Sequence, residues 1–250
     1  VARAPAPPQP AIVVGLHDYG DADRIVRLLT PTLGRVSALA KRARSGGPRW
    51  AGALETGNRV EAGLRPGQGS LYTLEQATLV DGHLGLRAEL GRLALAAHAA
   101  ELCGALARED QPEPKLFGLL ETALLVLDAA TGPASGAFRA GLELKALAFA
   151  GLRPALDRCR VCGQPPGDGP LRFHPAAGGL AHAACAAEGH AVDGLWAAAA
   201  HEALHQPLRE LLDLPMPLGP REAFAEVAEA HLERALRARA LLDALGAAAE

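Results

Sequence analysis

The sequence predicts a multidomain α+β protein in which a small five-stranded β-barrel precedes a helical domain interrupted by one cysteine-bearing insert. Three observations carry this reading. Apolar residues alternate with a period near two as far as about Ala77, and with a period near 3.6 from about Leu84 onward. Glycine- and proline-bearing turns punctuate the first part, whereas alanine and leucine dominate the second. Two short Cys/His pairs lie in a Gly/Pro-rich stretch between helical segments. These shifts divide the chain into residues 1–80, 81–154, 155–190 and 191–250.

Residues 1–10 are rich in proline and alanine and are expected to form a mobile lead or an extended arm. Five strands are predicted next: Ala11 to His17, Arg24 to Thr30, Arg35 to Ala40, Arg59 to Leu64, and Ser70 to Ala77. Pro31-Thr32-Leu33-Gly34 and Arg65-Pro66-Gly67-Gln68-Gly69 supply turns between them. Five strands in so short a span suit an OB-type barrel, a common platform for single-stranded nucleic acid, although an SH3-like barrel would show a similar pattern. Tyr19 and Tyr72 are expected in the core.

Helices follow. Leu86, Leu90, Leu93 and Ala97 mark one face of the first, to about Ala107; Leu116, Leu119, Leu120, Ala123 and Leu127 mark the second. A third runs from a Ser135 cap to Ala150 and stops at Gly151, with Pro154 beyond. The last long helix starts near Arg221 and carries Phe224, Val227, Leu232, Leu236 and Leu242. Cys103 fits a buried filler.

With 49% apolar residues the chain is no disordered polymer, and its net charge of -3 hides an asymmetry. Residues 1–65 carry 10 Arg and Lys against 5 Asp and Glu, while the remainder carries 15 against 23. The candidate nucleic-acid contacts are Arg24, Arg27, Arg35, Lys41, Arg42, Arg44 and Arg49, the last four in a loop containing Ser45-Gly46-Gly47-Pro48. Arg24 and Arg27 are an odd number of residues apart, so a regular strand sends them to opposite faces. Trp50 is placed either to stack on a base or to plug the barrel.

Cys159-x-x-Cys162 and His182-x-x-Cys185 have the spacing of a closed, tetrahedral, structural zinc site. His174 and His190 are alternative ligands. A competing pattern, His201-Glu202-Ala203-Leu204-His205, fits H-E-x-x-H and would make a zinc peptidase, with Glu222, Glu226 or Glu229 as a third ligand. Pro207 argues against a long catalytic helix there. No G-x-x-x-x-G-K-[ST] loop or G-x-S-x-G elbow is present, so neither an ATPase nor an esterase is indicated. No apolar run approaches the ~18 residues needed to span a bilayer, and VARAPAPPQP lacks the apolar core of a secretory signal. A soluble cytoplasmic protein is expected.

The segment DYGDADRIVRLLTPTLGRVSALAKRAR resembles the N-terminal signature of the RecO family, bacterial recombination mediators. The later order C-x-x-C-G, Phe173, Gly178-Gly179-Leu180 and a second ligand pair is similar to that family too, except that His182 stands where relatives carry cysteine. The resemblance implies an OB domain, a helical domain and a structural zinc module in a nucleoid-associated protein that is not an enzyme. It also implies binding of single- and double-stranded DNA, strand annealing, and action with RecR to load RecA on DNA covered by single-strand-binding protein. A purely helical adaptor without DNA contact is the alternative.

Overall fold

A computed structural model describes residues 7–45, 50, 52–67 and 69–247. Five strands, β1 (Gln9–Tyr19), β2 (Asp23–Thr30), β3 (Gly34–Ala40), β4 (Arg59–Pro66) and β5 (Leu71–Asp81), close into a barrel in the order β1-β2-β3-β5-β4. Every pairing is antiparallel except β3 with β5, where Ser37, Ala38 and Leu39 face Leu71, Tyr72 and Thr73. That strand order, with β5 placed between β3 and β4 and parallel to β3, resolves the choice of barrel in favour of the OB type. Gln9 and Pro10, expected in the lead, already pair with Ala62 and Glu61.

The first strand is buried on both faces. Ala11 and Val13 fill the barrel with Val26, Leu28, Val36 and Ala38, whereas Ile12, Val14 and Leu29 point outward into a second core. That second core belongs to α1 (Leu90–Leu106), α2 (Pro114–Ala129), α3 (Gly136–Phe149) and their neighbours. A Cβ on Gly104 of α1 would lie 2.7 Å from Val14 Cγ2, so only glycine admits this helix against β1.

Helix starts are capped as their sequences direct. Glu89 accepts from the N–H groups of Gly91 and Arg92, Ser135 from Phe138, and Pro114 opens α2. The predicted first helix starts later than Leu84, because Leu84–Ala88 forms a separate 3₁₀ turn. Leu90 and Leu93 are exposed, and the core face is made instead by Leu95, Ala99, Leu102, Cys103 and Leu106. Burial pushes the Cys103 thiol up to about 12, in keeping with an inert filler.

After α3 the chain forms a small sheet of β6 (Leu171–His174), β7 (Gly179–His182) and β8 (His190–Val192), in the order β7-β6-β8. It then returns to the helices as α4 (Gly194–His205), the single turn α5 (Leu208–Leu211), α6 (Ala223–Leu232) and α7 (Arg237–Ala247). The expected last long helix is therefore two. Glu233 adopts φ +53 at the break, and Glu101 of α1 accepts the N–H groups of Arg237 and Ala238 to restart it. Tyr19, expected in the core, is 52% exposed at a hairpin, whereas Tyr72 packs on the barrel and donates its hydroxyl to Asp110 at 2.8 Å.

Candidate nucleic-acid interface and metal centre

The acidic residues of the N-terminal segment organise its basic ones. Arg24 Nε donates to Asp18 Oδ1 at 3.0 Å, and Arg44 approaches Asp18 Oδ2 at 3.4 Å while donating to the Gly20 carbonyl at 3.0 Å. Asp23 Oδ1 accepts the backbone N–H of Arg42 at 2.7 Å. The β1–β2 hairpin and the 3₁₀ turn Ala43–Ser45 thus form one surface. On it Lys41 and Arg42 are exposed, with no carboxylate partner among the described residues. Arg27 is likewise exposed and unpaired, its stem lying over Gly15 beside the bulge of β1. Val26 and Leu28 line the barrel core, so Arg27 projects outward as strand parity demands, opposite to Arg24.

Two predicted contacts have other places. Arg35 reaches across to the helices, donating from Nη2 to Glu109 and from Nη1 to the Gly104 carbonyl. Trp50 takes the second of its two expected roles: it is 5% exposed within the barrel core, and its Nε1 donates to the Lys41 carbonyl at 3.2 Å. Its ring presents no free face to a base; it holds the backbone that bears Lys41. Arg49 lies outside the described residues.

The structure gathers Cys159, Cys162, His182 and Cys185, with their ligand atoms all within 4.8 Å of one another. Tight turns make this possible: Gly163, at φ +74, donates to the Cys159 carbonyl, and Cys185 to that of His182. His182 Nδ1 lies 3.4 Å from Cys162 Sγ and 3.9 Å from Cys185 Sγ. A tetrahedral ion with ordinary sulfur and nitrogen bonds sets such edges at about 3.5 Å. The other ring nitrogen, Nε2, lies 3.0 Å from the Pro165 carbonyl; donation there fixes the tautomer that leaves Nδ1 facing the sulfurs. The Cys162 backbone N–H holds the Cys159 thiol down at about 6, whereas burial and the neighbouring thiols push Cys185 up to about 11. A bound cation would remove that conflict by taking both as thiolates. The four side chains fit one metal ion. His174 and His190 stand elsewhere.

Residues 8–83 match the family model described as Recombination protein O N terminal, and residues 87–241 match Recombination protein O C terminal. The chain belongs to the RecO family. It is 42% identical to the DNA repair protein RecO of Anaeromyxobacter sp. strain K, with 94% of this chain and 95% of that protein aligned. The DNA repair protein RecO of Myxococcus xanthus strain DK1622 is 42% identical over 70% of each chain. That of Symbiobacterium thermophilum is 38% identical, covering 71% of this chain and 70% of the relative.

RecO is a family of DNA repair proteins, not of known enzymes. The peptidase pattern lies on the last turns of α4, where the rings of His201 and His205 are 5.0 Å apart. Among the described residues no third ligand groups with them: Glu222 and Glu226 converge on His190, and Glu229 accepts from Arg239. None of the helices among the described residues is long and apolar enough to cross a membrane. Sequence reasoning missed Asp18 and Asp23 as organisers of the basic surface, though their position just ahead of the arginines was the available signal.

Proposed function

We propose that this chain is a DNA-binding recombination mediator that binds single- and double-stranded DNA, anneals complementary strands and, with RecR, helps RecA load on DNA covered by single-strand-binding protein. The observation that supports it best is the basic edge of the barrel. Asp18 and Asp23 hold the hairpin and the turn together, while Arg27, Lys41 and Arg42 keep their charges for an outside partner. Arg24 and Arg44, half-neutralised by one shared carboxylate, flank them, and Arg49 follows in sequence.

Annealing follows from this arrangement in simple physical terms. Cations that neutralise phosphate reduce the repulsion between two strands, and contacts made mainly to the backbone leave the pairing edges of the bases free. Residues 1–80 are the DNA-binding part in this reading. Residues 155–190 carry one structural zinc, its three thiolates and one imidazole closing the coordination sphere. A cytoplasmic, nucleoid-associated location accords with such a role.

The test is titration of the protein into labelled single-stranded DNA at several salt concentrations, with annealing followed in the same samples. Contact with three to five phosphates gives a log-log salt slope of about -2 to -3.5. Salt-sensitive binding with faster annealing is the expected result; absence of both at low salt would transfer the role to a protein-binding adaptor.

A further inference from the structure

Beside the cysteine site, a second cluster of potential metal ligands joins the small sheet to the helices. His190 lies on β8, and Glu222 and Glu226 lie one turn apart at the start of α6. One ligand atom from each falls within 4.8 Å of the others. His190 Nε2 is 2.6 Å from Glu226 Oε2, and its Nδ1 is 4.0 Å from Glu222 Oε1. We propose that His190, Glu222 and Glu226 form a second divalent-cation site, distinct from the cysteine centre, that pins β8 to α6.

Three features support a built site. The first is rigidity: His190 pairs with Phe173 in the sheet, and Phe173 packs edge-on against Phe224 with ring centroids 5.3 Å apart. Phe224 sits between the two glutamates on α6, and Trp196 stacks on it at 5.2 Å, so buried aromatics fix the spacing between imidazole and carboxylates. The approach of β8 also needs Gly189, at φ +102, because a Cβ there would lie 2.6 Å from the Phe173 carbonyl oxygen.

The second is charge. Around this cluster five carboxylates, Glu143, Glu222, Glu226, Glu229 and Asp243, face three guanidiniums, Arg139, Arg221 and Arg239. Carboxylates outnumber guanidiniums here, a balance that favours a cation at the cluster. The third is orientation: Glu226 turns Oε1 toward Arg239 Nη1 at 3.9 Å, leaving Oε2 for the seat, which is the kind of outer contact that steadies a ligating carboxylate.

An imidazole with two carboxylates suits a borderline ion such as Zn²⁺, Co²⁺ or Mn²⁺ rather than Ca²⁺. Such an ion replaces the proton between His190 and Glu226 and widens that pair to about 3.3 Å, the edge set by ordinary Zn–N and Zn–O bonds. Glu222 and Glu226 also line a groove of about 1060 Å³, where water can fill the remaining positions.

Co²⁺ titration of the zinc-supplied full chain tests the site, because thiolate-to-cobalt charge transfer reports any Co²⁺ in the cysteine centre separately. One saturable equivalent without that charge-transfer band is expected. Glu222→Gln/Glu226→Gln keeps hydrogen-bonding groups in place and should weaken this equivalent by about tenfold or more, with an unchanged circular dichroism spectrum. Glu226→Gln alone provides the same comparison should the double variant fold poorly. No band-free equivalent in the wild type, or equal affinity in the variants, would overturn the assignment.

Discussion

Arg35 and Glu109 join the barrel to the helices through a bond of 3.0 Å from Nη2 to Oε1. The contact does not stand alone. Arg35 donates its backbone N–H to the Arg108 carbonyl at 2.9 Å, and Glu113 donates to that of Pro31 at 3.1 Å. At the adjacent Gly34, with φ +62, a Cβ would lie 2.2 Å from the Gln111 carbonyl oxygen, so the turn between β2 and β3 meets the α1–α2 loop backbone to backbone. An arginine that sequence alone placed in the nucleic-acid face is thereby part of a joint.

Arg35→Gln should accordingly lower stability by about 1 kcal/mol, the scale of one partly exposed ion pair with a neighbouring hydrogen bond. Its single-stranded DNA affinity and salt slope should match the wild type. Urea denaturation and fluorescence anisotropy check the two halves; a shallower slope at unchanged stability would return Arg35 to the DNA face.

Lys41→Glu/Arg42→Glu should do the opposite. Both side chains are exposed and lack a partner among the described residues, so the melting temperature should stay within experimental scatter. Loss of two phosphate contacts should reduce the magnitude of the log-log salt slope by about 1.4. An unchanged slope would place the strand on another surface.

Trp50→Ala should cost about 3–5 kcal/mol through the cavity it opens in the barrel. Trp50→Phe retains most of the volume and loses the bond to the Lys41 carbonyl, so its cost should be nearer 1–2 kcal/mol. Annealing by Trp50→Leu, which removes the ring but keeps apolar volume, should remain within about twofold of wild type where it is fully folded, since losing a ring that stacked on a base would cost about 1 to 3 kcal/mol.

Cys162→Ser should lower the metal content of the cysteine centre and destabilise the residues around it. Acidification should release the ion as well, because thiolates and a neutral imidazole must take up protons as it leaves. Metal analysis after dialysis at neutral and mildly acidic pH distinguishes the outcomes; full retention in the serine variant would remove Cys162 from the ligand set.

Lys145 offers a pH-dependent readout. Its ammonium donates to the Ala203 and Leu204 carbonyls at 2.7 Å each, at the C-terminal end of α4, and burial pushes its pKa down to about 8. An unfolded lysine titrates near 10.4. The depressed value means that the folded state carries a cost for the charged form, fully present below about pH 8 and relieved as pH rises toward 10.4. A neutral amine still has two N–H groups for the two carbonyls. The stability advantage of wild type over Lys145→Met should therefore grow between pH 7.5 and 10, as measured by urea unfolding at each pH; a constant difference would contradict the shift.

Local features were the legible ones. The Ser135 cap, the stop at Gly151 and the cysteine pairs are set within a few residues, where neighbouring backbone geometry leaves little freedom. Leu90 and Leu93 misled because the buried stripe of α1 runs instead through Leu95, Leu102 and Leu106, with alanines between them, where the helix lies against the barrel at Gly104. The break at Glu233 was hidden for a similar reason: the capping carboxylate comes from Glu101, on another helix.

The sequence by itself determined the two regimes of periodicity, the count of five strands and the two Cys/His pairs, since each follows from spacing along a locally constrained chain, whereas the barrel topology and the choice of His182 over His174 and His190 came from the fold. Tertiary structure decided what the charges do. Arg35 is engaged by Glu109 and Arg24 by Asp18, Arg42 remains exposed, and His190 meets Glu222 and Glu226 from more than thirty residues away. Electrostatic pairing depends on through-space distance falling below about 4 Å, a condition that packing of the aromatic trio and of β1 against α1 establishes and that residue order does not encode locally.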